Sequence, residues 1–212
     1  GLLDIDGIRR LRSIDHFEFK LSLLTTIGVL VIGVLPGVVF AIALALSNVL
    51  LKIYKPKDTL LGVVPGLKGY NDLSISEAAR PVPGVIIYRF DAPLLFFNAD
   101  YFKTRILSLV DNTEPKPRWF VLNVESISQL DSTGAQAVDE LIDELQNRGV
   151  HLVVARPKVY MRKYGQVLGL IKKIGTDNMF YSVHSAVSAI LKREERDNMV
   201  ESESITERSH ET

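Results

Sequence analysis

The chain has 212 residues, 47% of them hydrophobic and 24% charged, so it can form one ordinary domain with a smaller unit beside it. Its formal net charge is zero, so no basic excess is available to neutralise nucleic-acid phosphates, and no nucleic-acid partner is expected. Cysteine is absent, which excludes disulfides, thiolate metal sites and a cysteine nucleophile. The first residue is Gly1 and not Met, which suggests a piece of a longer protein.

Residues 1–20 place basic side chains among apolar ones that recur at helical spacing. This pattern predicts a short amphipathic, juxtamembrane helix lying at a membrane surface. Asp4 and Asp6 form a carboxylate pair without further ligands, so we interpret them as solvated charges and expect no metal site.

The run from Leu21 to Leu51 contains 31 residues without a charge, which predicts a membrane segment. One straight helix of that length would measure about 46 Å, against a hydrocarbon core of about 30 Å. Gly33 and Pro36-Gly37 lie near its middle, and basic residues flank both ends. These features favour an all-α transmembrane hairpin over 21–54, with both ends on the cytoplasmic side. The alternative is a single kinked span.

Each helix of such a hairpin would have only about 15 residues, or about 22 Å. Helices that short do not cross a bilayer alone, so the hairpin predicts further membrane helices as partners. The segment 55–84 then loses periodicity and gains proline and glycine, which is typical of a linker. At the other end, 193–212 is dominated by charged side chains and predicts a disordered tail.

Residues 85–192 alternate apolar runs with amphipathic segments, which predicts an α/β domain with a central sheet flanked by helices. Strands are expected at 85–90, 94–97, 119–124, 151–155 and 179–183. Asn98 is a natural N-cap for the first helix, and a second helix is expected to run from 131 to 148. A basic helix after Pro157 and a closing helix from Ser185 complete the domain.

The turn Asp131-Ser132-Thr133-Gly134 delivers a strand into a helix. Asp131 or Ser132 can be an ordinary N-cap. Alternatively, Ser132 is a phosphorylation site with a regulatory role, because a phosphate there would meet free backbone N–H groups and the positive end of the helix dipole.

The stretch 122–134, with its helix and Arg148-Gly149-Val150, resembles the STAS domain of anti-sigma-factor antagonists and of SulP (sulfate permease-type) anion transporters. The stretch 88–102 resembles the transporter version specifically, and 21–54 resembles the last two membrane helices of the SulP family. The phosphorylated serine of antagonist-type STAS domains matches Ser132.

The resemblance implies the C-terminal fragment of a secondary transporter of sulfate, bicarbonate or a related anion. It implies a multi-pass protein of the plasma (inner) membrane whose STAS domain is cytoplasmic and acts in regulation or dimerisation. The implied partners are the remaining membrane domain, a second copy, the lipid bilayer and a cytoplasmic regulatory protein. Substrate-binding positions of such transporters lie on earlier helices, so none is expected here, and no cofactor is expected.

The alternative is a membrane-anchored phosphoswitch protein like the anti-sigma-factor antagonists, and the hairpin discriminates against it because a signalling anchor needs only one ordinary span. An enzyme is not expected, since the chain lacks Gly-x-Ser-x-Gly, His-Glu-x-x-His and Gly-x-Gly-x-x-Gly, and no base for Ser132 is evident.

Overall fold

The computed structural model describes residues 20, 23, 24, 26, 33–67 and 69–210. The chain divides into two compact units, Gly1–Tyr54 and Lys55–Thr212. The predicted amphipathic helix over 1–20 and most of the first leg of the predicted hairpin lie outside the described residues.

Helix α1 (Val34–Tyr54) has 21 residues, so it is about 32 Å long. Gly33, with a φ of +102°, directly precedes it. Pro36 lies in the first turn, where its missing N–H removes no helical hydrogen bond, so it does not bend the helix. The predicted length of about 15 residues is therefore wrong for this leg. By length and composition, Val34–Leu51 can cross a membrane.

The second unit contains a six-stranded sheet in the order β2-β1-β3-β4-β5-β6. Strands β3 to β6 are parallel to one another, and β1 is antiparallel to both of its neighbours. The strands are β1 (Asp58–Val63), β2 (Tyr70–Asp72), β3 (Val85–Phe90), β4 (Trp119–Asn123), β5 (His151–Ala155) and β6 (Met179–Phe180). The central strand β4 is buried throughout, as expected of a parallel strand covered on both faces.

Helices cover both faces of this sheet. They are α2 (Ala99–Asp111), α3 (Ser132–Asn147), α4 (Val159–Val167), α5 (Leu170–Ile174) and α6 (Val183–His210), with a 3-10 turn at Thr176–Asn178. On one face, α2 and α3 bury Phe102 and Leu141 in the larger core cluster. On the other face, α6 buries Val187 and Ile190 against Val121.

The linker prediction for 55–84 is wrong where β1 and β2 form. The sequence of β1 shows no clear alternation of polar and apolar residues. Its polar side chains are accommodated by partners from elsewhere in the domain: Asp58 accepts a hydrogen bond from Arg105 (2.6 Å), and Thr59 donates one to Asp91 (3.3 Å). The strand predicted at 94–97 is also wrong, since only Leu94 makes a bridge, to Leu130, and a turn follows.

The prediction of a disordered tail is wrong for the backbone up to His210, which continues α6. Glu194 accepts a hydrogen bond from the Trp119 indole (Nε1 to Oε1, 3.1 Å). The Arg193 guanidinium lies 5.7 Å from the centre of the Trp119 ring and also donates to Asn178 (2.8 Å). These contacts, together with the good helix propensity of Glu and Arg, extend the helix beyond its apolar part.

The contacts of β1 and Glu194 predict that the fragment 55–196 is more stable than the fragment 85–192. The shorter fragment retains its own strands and core and should still unfold cooperatively, but it loses Leu61, and burying such a side chain contributes about 1.5–3 kcal/mol. Urea unfolding followed by the fluorescence of Trp119, the chain's single tryptophan, measures the difference. Equal midpoints and slopes would show that β1 adds nothing to the fold.

Candidate functional site

The turn at 131–134 lies where β4 has ended and α3 begins. Asp131 has an extended backbone (φ −92°, ψ −179°), and its Oδ1 accepts a hydrogen bond from the backbone N–H of Gly134. The N to Oδ1 distance is 2.7 Å. The backbone N–H of Ala135 donates to the Asp131 carbonyl (2.9 Å). Asp131 is therefore the N-cap of α3.

The same carboxylate also holds the loop that follows β3. Asp131 Oδ2 accepts from the backbone N–H of Phe96 (2.8 Å), which is 35 residues away in sequence. The Asp131 N–H donates to the Leu94 carbonyl (3.3 Å), and the Leu94 N–H donates to the Gln129 carbonyl (2.9 Å). One side chain thus caps a helix and joins two loops.

Gly134 is buried beneath this junction. A Cβ at position 134 would lie 2.5 Å from the Leu94 carbonyl oxygen and 3.0 Å from Cδ1 of Leu130. Since the first of these neighbours is backbone, the position needs glycine for the close approach of the two loops.

Ser132 and Thr133 are exposed in the first turn of α3. Ser132 therefore lies at the positive end of a 16-residue helix, where added negative charge is favoured. The structure brings all four residues of the turn together, Asp131 and Gly134 as structural parts and Ser132 and Thr133 as accessible hydroxyl groups.

Asn98 directly precedes α2, but its side chain does not cap the helix. It is fully buried, its Oδ1 accepts from the Leu95 N–H (2.9 Å), and its Nδ2 donates to the Pro93 carbonyl (2.9 Å). The predicted side-chain cap is therefore wrong, because the loop's own polar groups bind the amide. Asn98 thereby fixes the loop that presents Phe96, whose side chain is 70% exposed.

Ion pairs occupy the neighbouring strand ends. Arg89 binds Asp91 through two hydrogen bonds (2.7 and 3.0 Å), and Arg156 pairs with Glu125 (2.9 Å). Burial raises the pKa of Asp91, but the hydrogen bonds from Arg89, Ser126 and Thr59 and the Arg89 charge bring it below its usual value. Ionised Asp91 therefore stabilises the fold at neutral pH, and this contribution is lost as the pH falls through the lowered pKa. Among the described residues, no three His, Asp or Glu side chains cluster to hold a metal ion.

The family model of the STAS domain matches residues 78–186. A probable sulfate transporter of Mycobacterium tuberculosis is 40% identical over 192 residues, covering 91% of this chain and 34% of the relative. High affinity sulfate transporter 2 of Stylosanthes hamata is 30% identical over 196 residues, covering 89% and 30%. The chain thus spans about a third of the length of these curated relatives.

Among solved structures, the murine Slc26a9 anion transporter in the inward-facing state superposes with a TM-score of 0.71 at 18% identity. The superposition covers 84% of this chain and 29% of the transporter chain. At this identity, the likeness establishes the fold.

Proposed function

Since this chain belongs to the STAS domain family, we propose that it is the C-terminal part of a SulP-type secondary transporter of inorganic anions such as sulfate or bicarbonate. The observation that carries the proposal is the extent of the match to the mycobacterial relative. Its 192 aligned residues exceed the 158 residues from Lys55 to Thr212, so the likeness extends into the apolar segment. A protein that shared only the soluble domain would not match there.

Helix α1 supports a place inside a larger membrane body. Its apolar side chains are exposed within the described part of the chain, including Val34 (72%), Leu35 (78%) and Ile42 (62%). Such a surface needs lipid or other membrane helices to cover it. In our proposal, those other membrane helices contain the anion site. The α/β domain lies on the cytoplasmic side of the plasma (inner) membrane and contributes to dimer contacts or regulation.

Anion uptake by the complete protein tests this proposal. Proteoliposomes that contain the full-length protein should exchange radiolabelled sulfate, bicarbonate or chloride against an internal anion, whereas protein-free vesicles should not. Absence of exchange for all of these anions would overturn the transporter proposal. If phosphate were then found on Ser132, the alternative of a membrane-anchored phosphoswitch would be favoured.

The hairpin predicts that Lys20 and Lys57 lie on the same, cytoplasmic side of the membrane. Because this chain has no cysteine of its own, single cysteines at these two positions can be labelled selectively once any upstream cysteines are removed. An impermeant maleimide should label both positions in inside-out vesicles and neither in intact cells. Labelling of the two positions from opposite sides would favour the single kinked span.

Ser132 is the position at which we propose regulation of transport by a cytoplasmic partner. Phosphorylation would add about −1.5 to −2 charges beside Asp131. The helix dipole favours that charge by about 0.3–1 kcal/mol, and Asp131 partly cancels the gain, so the fold should survive. We expect Ser132→Glu to change anion uptake by the full-length transporter and Ser132→Ala to leave basal uptake unchanged.

Thr133→Glu is a matched control, because it adds the same charge one residue further along the exposed turn. Equal uptake by all three variants and wild type, with no phosphate on Ser132 in cells, would leave Ser132 as an exposed residue of the capped turn.

A further inference from the structure

Parallel strands end at a common edge, and here the loops after β3 to β6 share one edge of the sheet, which we call the carboxyl edge. These loops expose large apolar side chains: Phe96 (70%) after β3, Val159 (73%) after β5 and Tyr181 (83%) after β6. Three of the four loops thus present an apolar group to solvent at the same edge. We propose that the carboxyl edge contacts the anionic headgroups of the bilayer to which α1 belongs.

The chain enters the domain at this same edge. Strand β1 is antiparallel to β3, so Asp58 pairs with Phe90, the last residue of β3. The N–H of Asp91 donates to the Lys57 carbonyl (3.1 Å), which fixes the entry point. Only residues 55–57 separate α1 from β1, and from Tyr54 to Asp58 an extended chain spans at most about 14 Å. In sequence, the connection between the carboxyl edge and the apolar helix is therefore only three residues long.

The charges at this edge complement an anionic surface. Lys55, Lys57 and Lys158 lie at the entry and before α4, and within the described part of the chain none of them forms a salt bridge. Most acidic groups there already have partners: Asp58 pairs with Arg105, Asp91 with Arg89, Glu125 with Arg156, and Asp131 accepts two backbone N–H groups. Asp100, in the first turn of α2, is an exposed carboxylate that opposes the lysines in part.

Lysine beside exposed aromatic and aliphatic side chains is the combination that suits a bilayer interface. The ammonium groups meet the anionic headgroups, and the apolar groups reach the acyl boundary. A cytoplasmic leaflet also attracts basic segments close to its surface. The short connection to α1 and the lysines at the carboxyl edge therefore both favour lipid over a protein surface as the partner.

Ser132 begins α3 at the same edge, so a phosphate there would face the headgroups. Its negative charge would weaken a contact with anionic lipid, and this electrostatic repulsion is the mechanism by which phosphorylation of Ser132 would act on the domain. The inference rests on the membrane placement in the proposed function, and the experiment below separates the two.

Two spin labels at opposite ends of α3 test the contact without removing an apolar group. Cysteines replace Thr133, at the carboxyl edge, and Gln146, about 20 Å further along the helix. The 212-residue chain is reconstituted in nanodiscs of phosphatidylcholine alone or with about 30% phosphatidylserine. Accessibility to a water-soluble nickel chelate should be lower at 133 than at 146 in the anionic discs. The difference should shrink in neutral discs and in about 1 M salt, where the Debye length is about 3 Å.

Charge reversal supplies the matched comparison. Lys158→Glu should raise chelate accessibility at 133 in anionic discs, whereas Lys116→Glu, an exposed lysine in the loop before β4, should not. Equal accessibility at 133 and 146 would overturn the inference. Protection at 133 that is independent of lipid charge and salt would also overturn it, because a protein surface such as a second copy would then cover the edge.

A further label at Leu46, which is 60% exposed on α1, reports whether α1 lies in the membrane, as the proposed function requires. If the Leu46 label is inaccessible to the chelate and accessible to oxygen, α1 is in lipid, and a negative result at 133 then contradicts only the headgroup contact. If the Leu46 label faces water, the membrane placement itself has failed.

Discussion

The Gly134→Ala variant should unfold at a lower denaturant concentration than the wild-type chain, with a loss of about 1–3 kcal/mol in the free energy of unfolding. The added Cβ would lie 2.5 Å from the Leu94 carbonyl oxygen, and that backbone is held by the hydrogen bonds to Gln129 and Asp131. Relief requires the loop to move away from α3. Trp119 fluorescence in a urea series measures the loss.

Gly165→Ala is the matched control, because the same substitution has the opposite expected effect. Gly165 lies in α4, and a Cβ there would meet Ile171 and Leu170 at ordinary contact distances of 3.5–4.0 Å. Alanine should therefore stabilise the domain by about 0.5–1 kcal/mol through its helix propensity. A loss for Gly165→Ala similar to that for Gly134→Ala would show that glycine content, and not the approach of Leu94, determines the result.

Much of the domain was predictable because its signals are local. The parallel strands β3, β4 and β5 are apolar apart from one residue each, Arg89, Asn123 and His151. Helix α3 begins and ends where its capping residues and Arg148-Gly149 predict. Strand β1 was missed because its polar residues are satisfied by Arg105 and Asp91, which lie tens of residues away. Periodicity does not report such distant partners.

At the turn 131–134, too, the local features were predictable and the contacts with distant residues were not. The residues of the turn were identified from sequence, and Asp131 was one of two candidates for the cap. The second role of Asp131, in holding the Phe96 N–H, depends on two parallel strands bringing their following loops together, and no local pattern signals it. For Asn98 the local pattern misled, because the side chain binds the loop before α2 and not the helix.

The Asp131→Ala variant should lose about 2–5 kcal/mol in the free energy of unfolding. The carboxylate caps α3 through Gly134, and such a cap contributes about 0.5–2 kcal/mol. It also accepts from the Phe96 N–H, and hydrogen bonds to charged groups contribute about 1.5–3 kcal/mol. Asp131→Asn should lose roughly half as much, because its single carbonyl oxygen can accept from only one of the two N–H groups.

Hydrogen exchange distinguishes this double role from a general loss of stability. In Asp131→Ala, the amides of Phe96 and Gly134 should exchange faster relative to core amides such as that of Val121, because both lose their acceptor. Ser132→Ala, which changes an exposed neighbour in the same turn, should leave both amides protected and the unfolding free energy within about 0.5 kcal/mol of wild type. If the Phe96 amide stays protected in Asp131→Ala, the loop after β3 is held by Asn98 and the Leu94 backbone, and Asp131 acts only on α3.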